Sequence, residues 1–394
     1  MCIRDSDGLY DAYYLLHFGE NQLAIERLDE MLEGQVAAIS SGVLSSEECC
    51  EVLDRLRASR LYREDQQSYL LYPDKTLPNF LQKNNVDAEF LENSKLLQKL
   101  VAENDYSVVR LNLNGNLNFN GDFRNVFDLK SALDALATRN AGYLELVTDE
   151  RASVEQLFET IFQHHKFTGR SGTFFGYEGL GSIYWHMVSK LSLAVIEQFV
   201  TEADGAYDVS AMKRLGDHYF EIIEGLGIHK SAAEFGAFPI DPYSHTPEGA
   251  GARQPGMTGQ VKEDVISRVL ELGGRVKAGQ VSFEPFLFDR KEFAIHETAF
   301  NFLAIDGTRS ELKLSAGEFG WAWCQCPIVY RQSNQNSMAL TLASGEVVQR
   351  DRLELTAEES RHLFQRSSHI KKIEICFSGD SIRQEISTNT GDAK

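Results

Sequence analysis

The sequence predicts a mainly α-helical chain with a C-terminal β domain, and three observations carry that prediction. Apolar residues recur at helical spacing through much of the first 272 residues, with helix-start signals between them. Beyond the paired glycines 273 and 274 the texture changes to short β-rich runs separated by Gly, Asp and Asn. The chain has 394 residues, 43% hydrophobic and 10% aromatic, enough to bury a sizeable core and fill about two or three domains. The expected division is a helical part over 7–273 with a small β insertion near 106–125, an antiparallel β-sandwich over 274–378 and a loose tail over 379–394.

Taken in order, Leu23, Ile25, Leu28, Leu32, Val36 and Ile39 read as one helical stripe, and a capping box from Ser45 to Glu48 opens the next helix. Residues 69–86 hold two prolines and an Asn pair, which reads as an ordered loop. Residues 111–125 alternate apolar and polar side chains and carry Asn-Gly pairs at 114 and 120, the pattern of a small hairpin before a helix at 126. From Gly179 to Val200 the set Leu180, Ile183, Tyr184, Met187, Val188, Leu191, Val195 and Phe199 keeps a helical period, and a further helix follows at 208–224. The last long helix starts near Gln260, with Val261, Val265, Ile266, Val269 and Leu272 expected inward. In the β-rich part WAWCQCPIVYR reads as one strand, and a Thr356-to-Glu359 capping box marks a short helix at 357–365.

Composition excludes some classes. A formal charge of -19, with no basic stripe to offset it, repels phosphate backbones and anionic lipid, so neither nucleic acid nor a membrane is an expected partner. No apolar run reaches the ~18 residues of a membrane span, and the start lacks a signal-peptide pattern, so a cytoplasmic location is expected. The opening MCIRDS resembles a translated sequencing adapter, so a C-terminal fragment is expected and secretion stays open. Cys49 and Cys50 are adjacent, and Cys324 and Cys326 would share one strand face; these read as reduced core thiols rather than disulfides. Metal-ligand spacing is missing, so no metal and no cofactor are expected.

Three stretches carry candidate chemistry. Residues 235–260 lack periodicity, hold four of the eight prolines and still offer Asp241, Tyr243, His245, Arg253 and Gln254. A Gly-Met-Thr-Gly turn then leads to a helix N-terminus, with free N–H groups at Thr258 and Gly259 for an anion or sugar hydroxyls. Residues 167–190 form a glycine-spaced aromatic stretch with Tyr177, Glu178, Trp185 and His186, where an indole face beside a carboxylate suits a pyranose ring. The third stretch places Asp122 and Arg124 among aromatic and turn residues. For each, plain packing or a solvated charge is the competing reading.

Helical segments joined by aromatic loops and followed by a β module resemble the six-hairpin (α/α)-barrel carbohydrate enzymes, loosely those of the cellobiose phosphorylase type. GMTGQVKEDVISRVLELGGRVKAGQVSFEPFL (256–287) is similar to that family's Thr-Gly pair, long helix and glycine turn into a strand. RSGTFFGYEGLGSIYWHMV (170–188) resembles its glycine-Phe loop, and GEVVQRDRLEL with KKIEICF resembles its closing strands. The resemblance implies an (α/α) toroid portion followed by the sandwich. It also implies general-acid cleavage of an oligosaccharide, with inorganic phosphate as co-substrate held at Thr258 and Gly259. Glu178 and Asp241 are the carboxyl groups expected to act, with Asp7, Asp11 or an acid upstream of the fragment as the alternatives. The sequence departs from the family in having Gly176 where the family's loop has a histidine, and in lacking its tryptophan-rich Asp motif.

Phosphorolysis and hydrolysis are therefore both open. A non-catalytic glycan-binding or scaffold module is the reading from a different class, and a helical polysaccharide lyase built on Tyr243, His245 and Arg253 is a third. Homodimerisation stays open as well.

Overall fold

A computed structural model of the chain describes residues 8–12, 14–18, 22–27, 30–74, 78–139, 141–162, 181–205, 208–239, 241–255 and 258–378. The chain forms two compact units: residues 73–182 make one, and residues 1–72 together with 183–394 make the other. The smaller unit thus interrupts the larger. Leu70, just before the interruption, forms an antiparallel bridge with Ile183, just after it.

In the smaller unit, helices Val126–Arg139 and Ala141–Phe162 bury Leu129, Leu133, Val147, Leu157 and Phe158. Helix Lys95–Ala102 joins this core through Leu96, Leu97 and Leu100. Its N-terminal amides would otherwise lack acceptors; Glu150 takes Lys95 N–H at 3.0 Å and Leu96 N–H at 3.2 Å. The hairpin Val109–Leu111 with Leu117–Phe119 stands in the asparagine-rich stretch. Asn112 Oδ1 accepts the Asn114 and Asn116 amides, and Gly115 turns at φ 81°. Asn84, 2% exposed, acts as a peptide group at the hairpin's edge: it donates to Phe119 O at 2.9 Å and accepts from Phe119 N–H at 2.8 Å.

In the larger unit, helices Leu32–Ser40, Ser46–Ala58, Trp185–Ala203 and Val209–Glu224 surround a core that includes Leu32, Leu53, Leu191, Val195 and Leu215. The Ser45–Glu48 capping box is present in full. Residues 14–18 and 23–27, read from sequence as partly helical, form a β-hairpin instead. Leu16 pairs with Ile25 and Phe18 with Leu23, so alternation rather than helical spacing governs those apolar residues. The helix expected from Gly179 begins only at Trp185, because Ser182–Tyr184 is a strand.

The C-terminal part is a sheet region. Its five-stranded sheet runs in the order 318–323, 326–333, 370–378, 337–342, 347–350, with two hairpins, 274–277/280–283 and 298–303/309–314, beside it in sequence. The expected antiparallel pattern is corrected at one place, since Cys326–Ser333 and Ile370–Ser378 are parallel, joined by a crossover that carries helix Ala357–Phe364. WAWCQCPIVYR is two strands: Cys324 and Gln325, at φ 49° and 65°, form the turn between paired Trp323 and Cys326. The two cysteines therefore do not lie two apart on one strand.

Gly273 and Gly274 fall in the unit made of residues 1–72 and 183–394. Gly273, at φ 82°, accepts the Glu284 amide at 2.7 Å, and a Cβ there would meet Glu284 backbone at 2.3 Å. The fully buried Tyr330 donates its hydroxyl to Leu272 O at 2.5 Å, tying the sheet to the end of helix Thr258–Glu271.

Candidate functional site

Two of the three candidate stretches meet. Residues 235–255 do not form a bare loop: helix Ala232–Phe235 is followed by strands Tyr243–Pro247 and Arg253–Pro255, which join Ser182–Tyr184 in a three-stranded sheet. The chain folds this way because Gly236, at φ 70°, lets its backbone lie against Gly251, where a Cβ would come within 2.3 Å of the facing Cα. Ala252 N–H then donates to Phe235 O at 3.0 Å.

Trp185, 0% exposed, lies beneath this sheet. Its Nε1–H donates to Thr246 Oγ1 at 2.9 Å, Phe235 meets it edge-on at 5.3 Å and the Lys230 ammonium stands 4.9 Å from its ring. Phe235 in turn packs edge-on against Tyr243. Burial drives the Lys230 pKa down to about 8. The indole is thus held in the core on the side facing Phe235 and Lys230.

The remaining candidates are placed as follows. His245 pairs in register with Arg253, and Tyr243 with Pro255, so Tyr243, His245 and Arg253 occupy one face of the hairpin. Arg253 and Gln254 are exposed, and Gln254 takes φ 55°. Asp241 is exposed, its amide donating to Phe238 O at 3.1 Å. Tyr177 and Glu178 lie outside the described residues, so the expected Glu178–Asp241 separation is not defined. Thr258 and Gly259 open helix 258–271. In the smaller unit, Asp122 is exposed and Arg124 pairs with Asp128 at 3.3 Å on the surface.

Helix 258–271 corrects the sequence reading most. Of the residues expected inward, Leu272 is 4% exposed and Val269 packs against the C-terminal core, but Val261, Val265 and Ile266 are 45%, 57% and 39% exposed, whereas Gln260, Glu263, Ser267 and Glu271 are 8%, 2%, 1% and 5% exposed. The helix buries its polar stripe. Its outer apolar side lines a groove of about 720 Å3 together with Ile39, Ala194, Val276 and Trp323.

The buried stripe has two unlike halves. At its C-terminal end Glu271 accepts from Tyr219 Oη at 3.0 Å and from Arg268 at 2.6 Å, and Arg268 also bridges to Glu292. That end is a satisfied structural network. At the N-terminal end, among the described residues, Gln260 Oε1 and Ser267 Oγ have no hydrogen-bond partner, while the Ser189 hydroxyl on helix 185–203 bonds Asp264. Buried polar atoms left unpaired cost about 1–3 kcal/mol each.

Charge gathers around this seam. His186 Nε2 stands 3.8 Å from Glu263 Oε2, too far for a hydrogen bond, and Lys262 reaches Glu263 Oε1 at 3.2 Å. Burial and then the Lys190 charge hold the His186 pKa below its ordinary value, with Glu263 pulling the other way. Burial raises the Asp264 carboxyl, a hydrogen bond from the Ser189 hydroxyl offsets part of that, and the Glu263 charge adds to the rise. His186 was a sequence candidate; Gln260, Glu263, Asp264, Ser267 and Ser189 were not. Their spacing at 260, 263, 264 and 267 is itself helical, and it went unread because the apolar stripe of the same helix was taken as the buried one.

Residues 77–165 match the family model described as GH149 phosphorylase insertion domain 2. The matched stretch falls within the unit 73–182, the one that interrupts the larger unit. Compared with curated proteins, the chain has no match. No described helix is long and apolar enough to cross a membrane. The similarity is to a phosphorylase insertion domain and covers residues 77–165.

Proposed function

We propose that this chain is part of a glycoside phosphorylase acting on an oligosaccharide, with the larger unit supplying a portion of an (α/α) toroid and a β-sandwich. The single observation that carries the reading is the match of residues 77–165 to a phosphorylase insertion domain, on a unit whose chain path is itself an insertion. In this reading a carboxylic acid protonates the leaving glycosidic oxygen while inorganic phosphate attacks the anomeric carbon from the opposite face. Glu178 and Asp241 are the groups assigned to proton donation, and the amides at Thr258 and Gly259, opening a helix, suit the phosphate. His186, Tyr243, His245, Arg253 and Gln254 are assigned to substrate contact, whereas Trp185, sealed in the core, serves packing.

The test is turnover of β- and α-linked disaccharides by the protein with and without phosphate. Phosphate-dependent formation of a sugar 1-phosphate, lost in Glu178→Gln or Asp241→Asn, supports the reading. Sugar release without phosphate replaces phosphorolysis by hydrolysis, binding without turnover moves the chain to the glycan-binding class, and no binding removes the carbohydrate reading.

A further inference from the structure

We propose that the groove between helices 185–203 and 258–271 is a docking site for an amphipathic helix of a partner protein, one that lays its apolar face into the groove and carries a basic residue to Glu197.

Two helix faces give the groove its shape. Ala194, Glu197, Gln198 and Thr201 stand at intervals of three and four on helix 185–203 and so form one wall. Val265 and Val269, four apart on helix 258–271, form the other with Ile266 beside them, and Val276 and Trp323 complete the lining. The first wall, from Ala194 to Thr201, runs about 10.5 Å along its helix, the span of the i to i+7 anchors by which an amphipathic helix grips a groove. Val261, one turn before Val265 and 45% exposed, continues the apolar strip past the groove, which suits a rod-shaped occupant better than a compact one.

The chemistry of the occupant follows from the lining. Val265 and Val276 are 57% and 52% exposed, an apolar surface facing water that a partner's aliphatic side chains would dry. Such walls would leave the hydroxyls of a sugar unpaired. Glu197 is the single ionisable group among the described lining residues. It reaches solvent, yet burial of part of the side chain raises its carboxyl above the ordinary value, and no described cation pairs with it. A carboxylate and an indole on one groove are both receivers of a cation, the first by charge and the second by its ring face. The occupant is therefore apolar and basic. The formal charge of -19 draws in such a partner, and it disfavours a second copy of this chain, which would bring the same charge.

The experiment is calorimetric titration of the full chain with three synthetic helical peptides of about fourteen residues. Each carries leucines at i, i+3, i+4 and i+7, and they differ only in a central Arg, Gln or Glu. The Arg peptide is expected to bind about tenfold tighter than the Glu peptide. Glu197→Gln should remove that preference, Glu197→Lys should reverse it, and Val265→Asp should abolish binding of all three. Glu197 and Val265 are exposed, so each variant is expected to keep the wild-type Tm. Equal binding of the three peptides, no binding of any, or wild-type affinity for the Arg peptide in Glu197→Gln overturns the proposal. So does self-association of the chain in sedimentation that Val265→Asp removes, since the groove would then belong to a second copy. None of these outcomes bears on phosphate-dependent turnover, so the phosphorylase reading stands or falls separately.

Discussion

Leu70 and Ile183 sit side by side as an antiparallel bridge, and the whole of the 73–182 unit is spun out between them. Bridged residues lie about 5 Å apart, so the chain can pass from one to the other without the insertion. Replacing residues 73–182 by a Gly-Ser linker of about four residues is expected to leave the larger unit folded, with a single cooperative melt by circular dichroism. Loss of that transition would mean the larger unit depends on its insertion.

Asn84 gives a second expectation. Its buried amide satisfies both the N–H and the C=O of Phe119. Asn84→Ala leaves two backbone groups unpaired and should cost about 2–4 kcal/mol, read from urea unfolding of the full chain. A change below 1 kcal/mol, on the order of a surface substitution, would show that water replaces the side chain.

The Gly236–Gly251 approach gives a third. A Cβ on Gly236 meets Gly251 Cα at 2.3 Å, and Gly236 also holds φ 70°. Gly236→Ala should lower stability by about 2 kcal/mol or more and loosen the hairpin that carries Tyr243, His245 and Arg253. Amide exchange of residues 243–255 would rise before that of the sheet at 326–333.

Lys230 sets a pH signature. Its folded pKa is depressed by burial from 10.5 to about 8, so the folded state binds fewer protons than the unfolded state between those values. The sign is that of a stability contribution fully present above the unfolded value of 10.5 and lost as pH falls through 8. Measured against Lys230→Met, wild-type stability should climb from pH 8 to pH 10.5, whereas a flat difference would mean the ammonium is as well solvated folded as unfolded.

Local chemistry was legible in the sequence where a few adjacent residues decide it. The Ser45–Glu48 and Thr356–Glu359 boxes open the helices they announce, and Asn114-Gly115 forms the hairpin tip. Long-range facts were not legible: nothing in residues 60–190 says that Leu70 will meet Ile183. Competing periods misled elsewhere. Leu23 and Ile25 fit the start of a helix as well as a strand, and only pairing with Leu16 and Phe18 selects the hairpin. Cys324 and Gln325 look like strand residues and take a turn conformation that a non-glycine residue rarely adopts. Of the residues singled out from sequence, His186 lies 3.8 Å from Glu263. The buried polar residues of helix 258–271 were not legible because its apolar residues split between the core, at Val269 and Leu272, and the outer face, at Val261, Val265 and Ile266.

That reversed helix also inverts what substitution should do along it. On an ordinary amphipathic helix, the aliphatic positions resist change and the polar ones drift freely. Here Val261 and Val265 face outward, while Ser267 and Glu263 are sealed in. A saturation library across 258–271 would therefore return intolerant positions at Glu263 and Ser267 and permissive ones at Val261 and Val265, a profile that a hydropathy plot reads backwards.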